Sequence, residues 1–252
     1  MSNTQQLLTK PTTNIKPITD PKDFHRFFSI AASTFGRQTK DGIWIAFNPG
    51  WDTPAGKEKG IARLIDRWNA TTFDRNGNSN TVFLKATVSG ENGEEEIAGV
   101  AIWVQASNLD GYGEKPITNF AQAVDLEDFY PGDAAEQRYM CQLDASLHRR
   151  RFEVVSEIAA SSSPAVMVLD LCVVDPAFQR RGVASKLVQW GLDEARRRGG
   201  LEAVLEASAM GRHIYAKLGF VQDGGECEYV VDEEFAGRER PSNIFMRTGP
   251  LI

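Results

Sequence analysis

Cysteine is sparse and scattered in this chain. The 252 residues hold three, Cys141, Cys172 and Cys227, odd in number and without a CxxC pair. Neither a disulfide framework nor a zinc site is expected from them, and reduced thiols fit best. Three histidines, His25, His148 and His213, show no ligand spacing either, so no metal is expected. No stretch approaches ~18 uninterrupted apolar residues, and the polar segment from Met1 to Asp20 has no apolar run of secretory length and no arginine; the expectation is a soluble, cytoplasmic protein without a membrane partner. Basic residues are not in excess: 28 Lys and Arg stand against 34 Asp and Glu, a formal charge of -6. That balance disfavours a surface tracking nucleic acid phosphates or anionic lipid, and suits a cationic substrate better. Internal repeats and long low-complexity tracts are missing as well.

What remains is ordinary globular material, 42% hydrophobic and 25% charged, of a length one α/β core can use. Residues 1–13 read as a flexible start and 14–252 as a single domain. A strand is expected over Ile15 to Ile18. Phe24, Phe27, Phe28 and Ala31 form one helical stripe, with Asp20 as cap and Pro21 in the first turn. A Gly/Pro-rich stretch, Asn48 to Gly60, leads to a second helix over Glu58 to Asn69, whose Ile61, Leu64, Ile65 and Trp68 share a face. Thr81 to Ser89 and Glu96 to Gln105 read as a hairpin about the turn Gly90-Glu91-Asn92-Gly93.

Residues 106–164 form a long connection that needs structure of its own. Its Tyr139, Leu143 and Leu147 lie at i, i+4 and i+8 after the breaker Pro131-Gly132-Asp133, which predicts a helical insertion. Ala165 to Val174 is almost continuously apolar, as a strand buried on both faces would be, interrupted by Asp170 and closed by Asp175-Pro176. Val183, Leu187, Trp190 and Gly191 define the next helix face; Arg196, Arg197 and Arg198 complement its negative end, and Gly199-Gly200 stop it. Leu201 to Ala207 reads as a strand and Ala209 to Leu218 as a short helix. Glu226 to Val231 and Asn243 to Arg247 read as terminal strands.

The stretch with chemistry in it is Cys172-Val-Val-Asp-Pro-Ala-Phe-Gln179-Arg180-Arg181-Gly182-Val183-Ala184, where a buried strand ends and a loop opens a helix. A helix N-terminus presents unpaired amides and the positive end of a dipole, and Gly182 and Ala184 permit close approach by an anion such as pyrophosphate. A surface loop with solvated arginines has the same spacing, so the residues alone leave both readings open.

In this context Gln179 to Ala184 resembles the pyrophosphate loop of the GNAT acyltransferase superfamily, Gln/Arg-x-x-Gly-x-Gly/Ala. Tyr215-Ala-Lys-Leu-Gly219-Phe220 looks like that family's terminal Tyr-x-x-x-Gly-Phe element, and Ile97 to Ala101 like its third strand. The resemblance implies a mixed, mostly antiparallel α/β sheet flanked by helices, with a parallel pair splayed at the cofactor cleft and the 106–164 insertion added. It implies acetyl-CoA as co-substrate, with backbone groups of Cys172, Val173 and Val174 along the pantetheine arm. The loop residues Gln179, Arg180, Arg181, Gly182, Val183, Ala184 and Ser185 would cradle the pyrophosphate through the amides of Arg181 to Ser185.

Tyr215 matches the family tyrosine aimed at the cofactor sulfur and is the expected general acid; a core aromatic on an amphipathic helix is its plainer reading. Asp170 stands where arylalkylamine N-acetyltransferases, which this segment resembles, keep a histidine base. Burial in an apolar strand should raise its pKa, making it one candidate base, with Glu206 or water as the others. Cys172 has no evident base beside it and reads as a core residue. The acidic run Asp125, Glu127, Asp128, Asp133 and Glu136, with Tyr130 and Trp103, could line a pocket for a cationic amine, or form a solvated face. Leu205-Glu206-Ala207-Ser208 with Tyr215 also resembles puromycin N-acetyltransferase and its fungal and bacterial relatives, which implies a small-molecule primary amine as acceptor. Acetylation of a protein lysine or N-terminus, and non-catalytic acyl-CoA binding, are the alternatives; the quaternary state is expected to be monomer or homodimer.

Overall fold

The computed structural model describes residues 12–89 and 94–251, so the expected turn at Gly90 to Gly93 lies outside the described residues. Seven strands form one sheet: β1 (Thr13–Pro17), β2 (Thr81–Ser89), β3 (Glu95–Ala106), β4 (Val166–Val174), β5 (Glu202–Ser208), β6 (Val221–Glu226) and β7 (Asn243–Arg247), in the spatial order β1-β2-β3-β4-β5-β7-β6. Every pairing is antiparallel except β4 with β5. The mixed, mostly antiparallel sheet with one parallel pair is the one expected. Among the described residues seven α-helices accompany it: α1 (Asp23–Ala31), α2 (Gly42–Phe47), α3 (Pro54–Asn69), α4 (Phe120–Ala123), α5 (Ala134–Glu157), α6 (Val183–Arg197) and α7 (Arg212–Lys217).

Alternation along the strands divides the core between the two faces of the sheet. One face packs Trp103, Leu169 and Ala203 against Val183, Leu187 and Leu192 of α6. Trp103 is fully buried there, its indole N–H donating to the Leu187 carbonyl at 3.3 Å. Gly191 makes room for that ring, since a Cβ at this position would lie 1.9 Å from it. The opposite face packs Phe83, Ile102 and Val168 against Phe24, Phe27 and Phe28 of α1, and takes in Ile61 of α3 and Val154 and Val155 of α5.

Several boundaries differ from the sequence reading; the short helix expected over Ala209 to Leu218, for one, is confined to Arg212–Lys217. The Asp20 carboxylate accepts from the Lys22 amide at 2.9 Å, a local turn that delays α1 to Asp23. The helix then runs on as a π-helical segment, Ala32–Gln38. α3 begins at Pro54, because Thr53 accepts from the Gly56 amide at 3.1 Å and proline suits the first turn. The strand expected over Glu226 to Val231 is instead β6, Val221–Glu226, which ends where the expected one began; Cys227 then reaches across to the Asn243 carbonyl at 2.7 Å. The insertion helix α5 starts after the Pro131-Gly132 breaker with Asp133 accepting from Glu136 at 3.1 Å, as a capping aspartate should.

Candidate functional site

β4 and β5 are in register only from Val166 with Glu202 to Leu169 with Leu205, after which β4 continues to Val174 and β5 to Ser208 without pairing each other. The parallel pair therefore splays. A bulge occurs at this point: Ile102 of β3 faces Leu171, Trp103 faces Leu169, and Asp170 is the extra residue between them. A bulge turns two successive side chains to one face. Leu171 and Val173 accordingly join the α1 and α3 side of the core, while Leu169, Cys172 and Val174 join the α6 side.

Past the bulge the backbone groups alternate. The Asp175 amide bonds the Ala98 carbonyl of β3 at 2.9 Å, so the polar groups of Val173 also turn toward β3, opposite Val100, and those of Cys172 and Val174 turn into the splay. Of the three residues expected to present backbone groups to a ligand, Val173 is thus the exception. The Val174 carbonyl is already engaged, accepting from Thr34 Oγ1 at 3.0 Å and from Gln179 Nε2 at 3.1 Å.

The chain leaves β4 through a short turn, Pro176–Phe178, and enters α6 at Gly182. Gln179 is anchored by a reciprocal amide pair with Gln38, at 3.0 and 2.8 Å. Arg180 and Gly182 both have positive φ, 65° and 83°, a conformation that suits glycine and strains a side chain. Arg181 stacks its guanidinium over Phe178 at 5.3 Å. The first helical bond runs from Lys186 N–H to the Gly182 carbonyl, and no side chain caps this end. The amides of Val183, Ala184 and Ser185 therefore have no intrahelical acceptor, and they coincide with the positive end of the helix dipole.

Tyr215, on α7, packs against the α6-side core beside Cys172. Its ring meets Phe220 edge-on at 6.0 Å and lies over Gly211, where a Cβ would come within 2.6 Å of it. Burial, helped slightly by Cys172, pushes the phenol well above its usual value, so Tyr215 keeps its proton throughout the working range. Burial also pushes the Cys172 thiol up to about 12, which removes it as a thiolate nucleophile.

Asp170 reverses the sequence expectation. Burial alone would raise its carboxyl, but Arg67 and Arg151, with a smaller contribution from His148, outweigh burial and hold it well below the usual carboxylate range. Arg67 Nη1 and Arg151 Nη1 each donate to it at 2.9 Å. Arg151 also grips Glu206, with Nε donating to Oε1 at 3.0 Å and Nη2 donating to Oε2. Asp170 and Glu206 are the first residues beyond the last β4–β5 pair, so a single guanidinium from α5 spans the mouth of the splay.

The proposed acidic pocket does not assemble. Trp103 is in the core on the α6 side, Tyr130 donates to the Ala46 carbonyl at 2.7 Å, and Glu127 accepts from Gly132 at 2.7 Å and Gln137 at 2.7 Å. Asp125 and Asp133 cap helical turns, and Glu136 pairs with Arg238. Arg151, Arg67, Thr34 and Gln38 were absent from the sequence reading. Arg151 did leave a signal: it continues the stripe of Tyr139, Leu143 and Leu147 at i+4, and a charge on a core stripe demands a buried partner. A surface cavity of ≈ 580 Å³ between β2, α3 and the far end of α6, lined by Trp68, Trp190 and Arg197, shares no residue with this corner. Among the described residues no cluster of three or more His, Cys, Asp or Glu is placed to hold a metal ion, and no helix is long and apolar enough to cross a membrane.

Residues 117–230 match the model of the acetyltransferase (GNAT) domain, a span from within the β3–β4 connection to just past β6 that contains the whole strand-loop-helix corner. No curated protein sequence matches the chain. Solved structures of the same fold span nearly its full length. An arylalkylamine N-acetyltransferase-like 5b from mosquito has a TM-score of 0.59 at 13% identity, over 96% of this chain and 100% of that one. A polyamine N-acetyltransferase from Drosophila melanogaster, which forms N-acetylagmatine, has 0.58 at 10%, over 95% and 100%. A histone acetyltransferase HPA2 and related acetyltransferase from Corynebacterium glutamicum has 0.52 at 17%, over 97% and 98%. At these identities the likeness establishes the GNAT fold.

Proposed function

We propose that this chain is a GNAT N-acetyltransferase that moves an acetyl group from acetyl-CoA to the primary amine of a small molecule, by direct attack in a ternary complex. The observation that carries the reading is the corner itself: a parallel pair that opens at Leu169 and Leu205, a helix start with three unengaged amides, and a protonated Tyr215 beside Cys172. In this reading the pyrophosphate lies on the amides of Arg181 to Ser185, and Gln179 holds the loop to β4 rather than touching the ligand. The pantetheine arm follows the groups of Cys172 and the Val174 amide, in place of a missing β5 partner. The thioester carbonyl gains negative charge as the amine attacks, and a fixed amide favours that transition state over the ground state.

Tyr215 donates to the departing thiolate. The burial that raises the Cys172 thiol would also raise a cofactor thiolate's affinity for a proton, which brings the two partners of that transfer closer. Proximity of two bound reactants supplies much of the rate. Asp170 and Glu206, locked to guanidinium groups, hold the acceptor side together in this reading rather than taking the proton. A small-amine acceptor agrees with the names of the mosquito and Drosophila relatives and with the resemblance to puromycin N-acetyltransferase. We extend the proposal to one domain over 14–252, as a monomer or homodimer working in the cytoplasm. Thiol release from acetyl-CoA, measured with and without a panel of alkyl- and arylalkylamines, tests it. Amine-dependent release is expected, and its absence across the panel would refute the acetyltransferase reading.

A further inference from the structure

An amine must be neutral to attack a thioester, yet an alkylammonium of ordinary pKa near ~10 leaves only about one molecule in 10³ neutral at pH 7. A base near the acceptor site would relieve that shortage. The two carboxylates at the splay are unavailable: Asp170 is held by Arg67 and Arg151, and both Glu206 oxygens are taken by Arg151.

His148 lies on α5 almost one turn before Arg151, on the same inward face, and is half-buried. Its Nδ1 is 3.0 Å from Asp144 Oδ1, and the Asp144 side chain is only 8% exposed. A carboxylate this close to Nδ1 favours the tautomer with its proton there, leaving the Nε2 lone pair free to accept one. Among the described residues no hydrogen bond engages Nε2. The ring sits 6.0 Å from Phe152, in an edge-on arrangement that fixes its plane. His25 and His213 are exposed. We propose that His148, oriented by Asp144, is the proton acceptor for the incoming ammonium; this rests on the acetyltransferase reading above.

Besides Asp144, His148 lies close enough to Asp170 on β4 to help lower its carboxyl; Asp170 is held by Arg67 on α3 and Arg151 on α5, Arg151 in turn holds Glu206 on β5, and Asp41 ahead of α2 is felt at Tyr229. Tyr229 and Cys227, in the segment after β6, are both pushed above their usual values by burial and stay neutral. Arg151 and Arg67 are engaged by Asp170 and Glu206, which leaves Asp144 as the direct partner of the His148 ring. The ammonium gives one proton to Nε2, and the freed nitrogen lone pair forms the C–N bond. The C–S bond breaks with its electrons going to sulfur, which takes the Tyr215 proton. The nitrogen's surplus proton returns to the tyrosine oxygen through water, and His148 releases its proton to solvent.

The test is amine-dependent thiol release from acetyl-CoA as a function of pH, with 2-phenylethylamine and 1,4-diaminobutane, for wild type, His148→Gln, His148→Ala and Asp144→Asn. Acetyl-CoA binding is followed by calorimetry in each. The inference expects His148→Gln to lose ~10²-fold or more in kcat/KM at pH 7, with acetyl-CoA binding retained. It expects His148→Ala to regain activity with added imidazole, and Asp144→Asn, which no longer fixes the ring and its tautomer, to lose kcat with acetyl-CoA binding retained. A His148→Gln variant with an unchanged acid limb and a rate within twofold of wild type overturns it, as does a folded His148→Ala that imidazole leaves inactive. Should the His148 variants fail to bind acetyl-CoA, an unchanged kcat in Asp144→Asn overturns it instead. If wild type binds acetyl-CoA but releases no thiol with any amine of the panel, the acetyltransferase reading falls, and this inference with it.

Discussion

Arg151 donates to Asp170 at 2.9 Å from a helix inserted between β3 and β4, closing the mouth of the only parallel strand pair among the described residues. Both side chains are largely buried, at 11% and 19% exposure. Removing the guanidinium leaves Asp170 and Glu206 without their shared partner, and breaking a buried pair in this way costs about 3–5 kcal/mol. Arg151→Met is therefore expected to lose stability of that order at pH 7 in urea unfolding. Asp170 keeps Arg67, so the loss falls mainly on Glu206, and it should shrink toward pH 4, where a buried carboxylate left without its partner can protonate. In wild type the depressed Asp170 contributes stability that is complete above ~4, the unfolded carboxyl value, and is lost only as the pH falls through its lower folded value. A stability difference independent of pH between 7 and 4 would contradict the pairing.

Tyr215→Phe removes one hydroxyl and keeps the ring that packs against Phe220. Its expected effect is a fall in kcat of ~10² or more with acetyl-CoA affinity within a few-fold of wild type, since a general acid acts on the departing sulfur rather than on the ground state. Steady-state turnover set beside a calorimetric affinity separates the two. Normal turnover would remove Tyr215 from the chemistry.

Gly191 has no room for a methyl group: Trp103 occupies that space. Gly191→Ala gains helix propensity, but it must displace a fully buried indole that is hydrogen-bonded to Leu187. Overpacking of this kind costs about 1–3 kcal/mol, more than the propensity returns. Thermal unfolding should show a lower midpoint, and an unchanged or higher one would mean that the α6–β3 contact is looser than described.

Much of the sheet was legible because its signals are local. The β-branched and aromatic content of Thr81 to Ser89, the apolar run of Ala165 to Val174 and the Gly199-Gly200 stop each report on neighbours in sequence. The corner was legible for the same reason, Gln179 to Ala184 being contiguous. Residues that act through distant partners were harder to see. Asp170 looked like an acid with a raised pKa because nothing nearby in sequence reveals Arg67, 103 positions away, or the bulge that turns its side chain toward α3 and α5. The alternation that sends Val173 toward β3 depends on where the strand register falls. Trp103 and the acidic run were joined in one pocket on composition, and only the sheet's two faces separate them.

Calorimetric titration of coenzyme A and acetyl-CoA into the folded protein tests the central claim, that the amides at the start of α6 hold a diphosphate. Saturable one-to-one binding is expected for wild type. Gly182→Glu should weaken it by more than ~10²-fold, because a carboxylate enters the anion site and a side chain at φ 83° adds about 1–2 kcal/mol of strain. Folded wild-type protein that takes up neither ligand, or Gly182→Glu protein that binds as wild type does, would contradict the account.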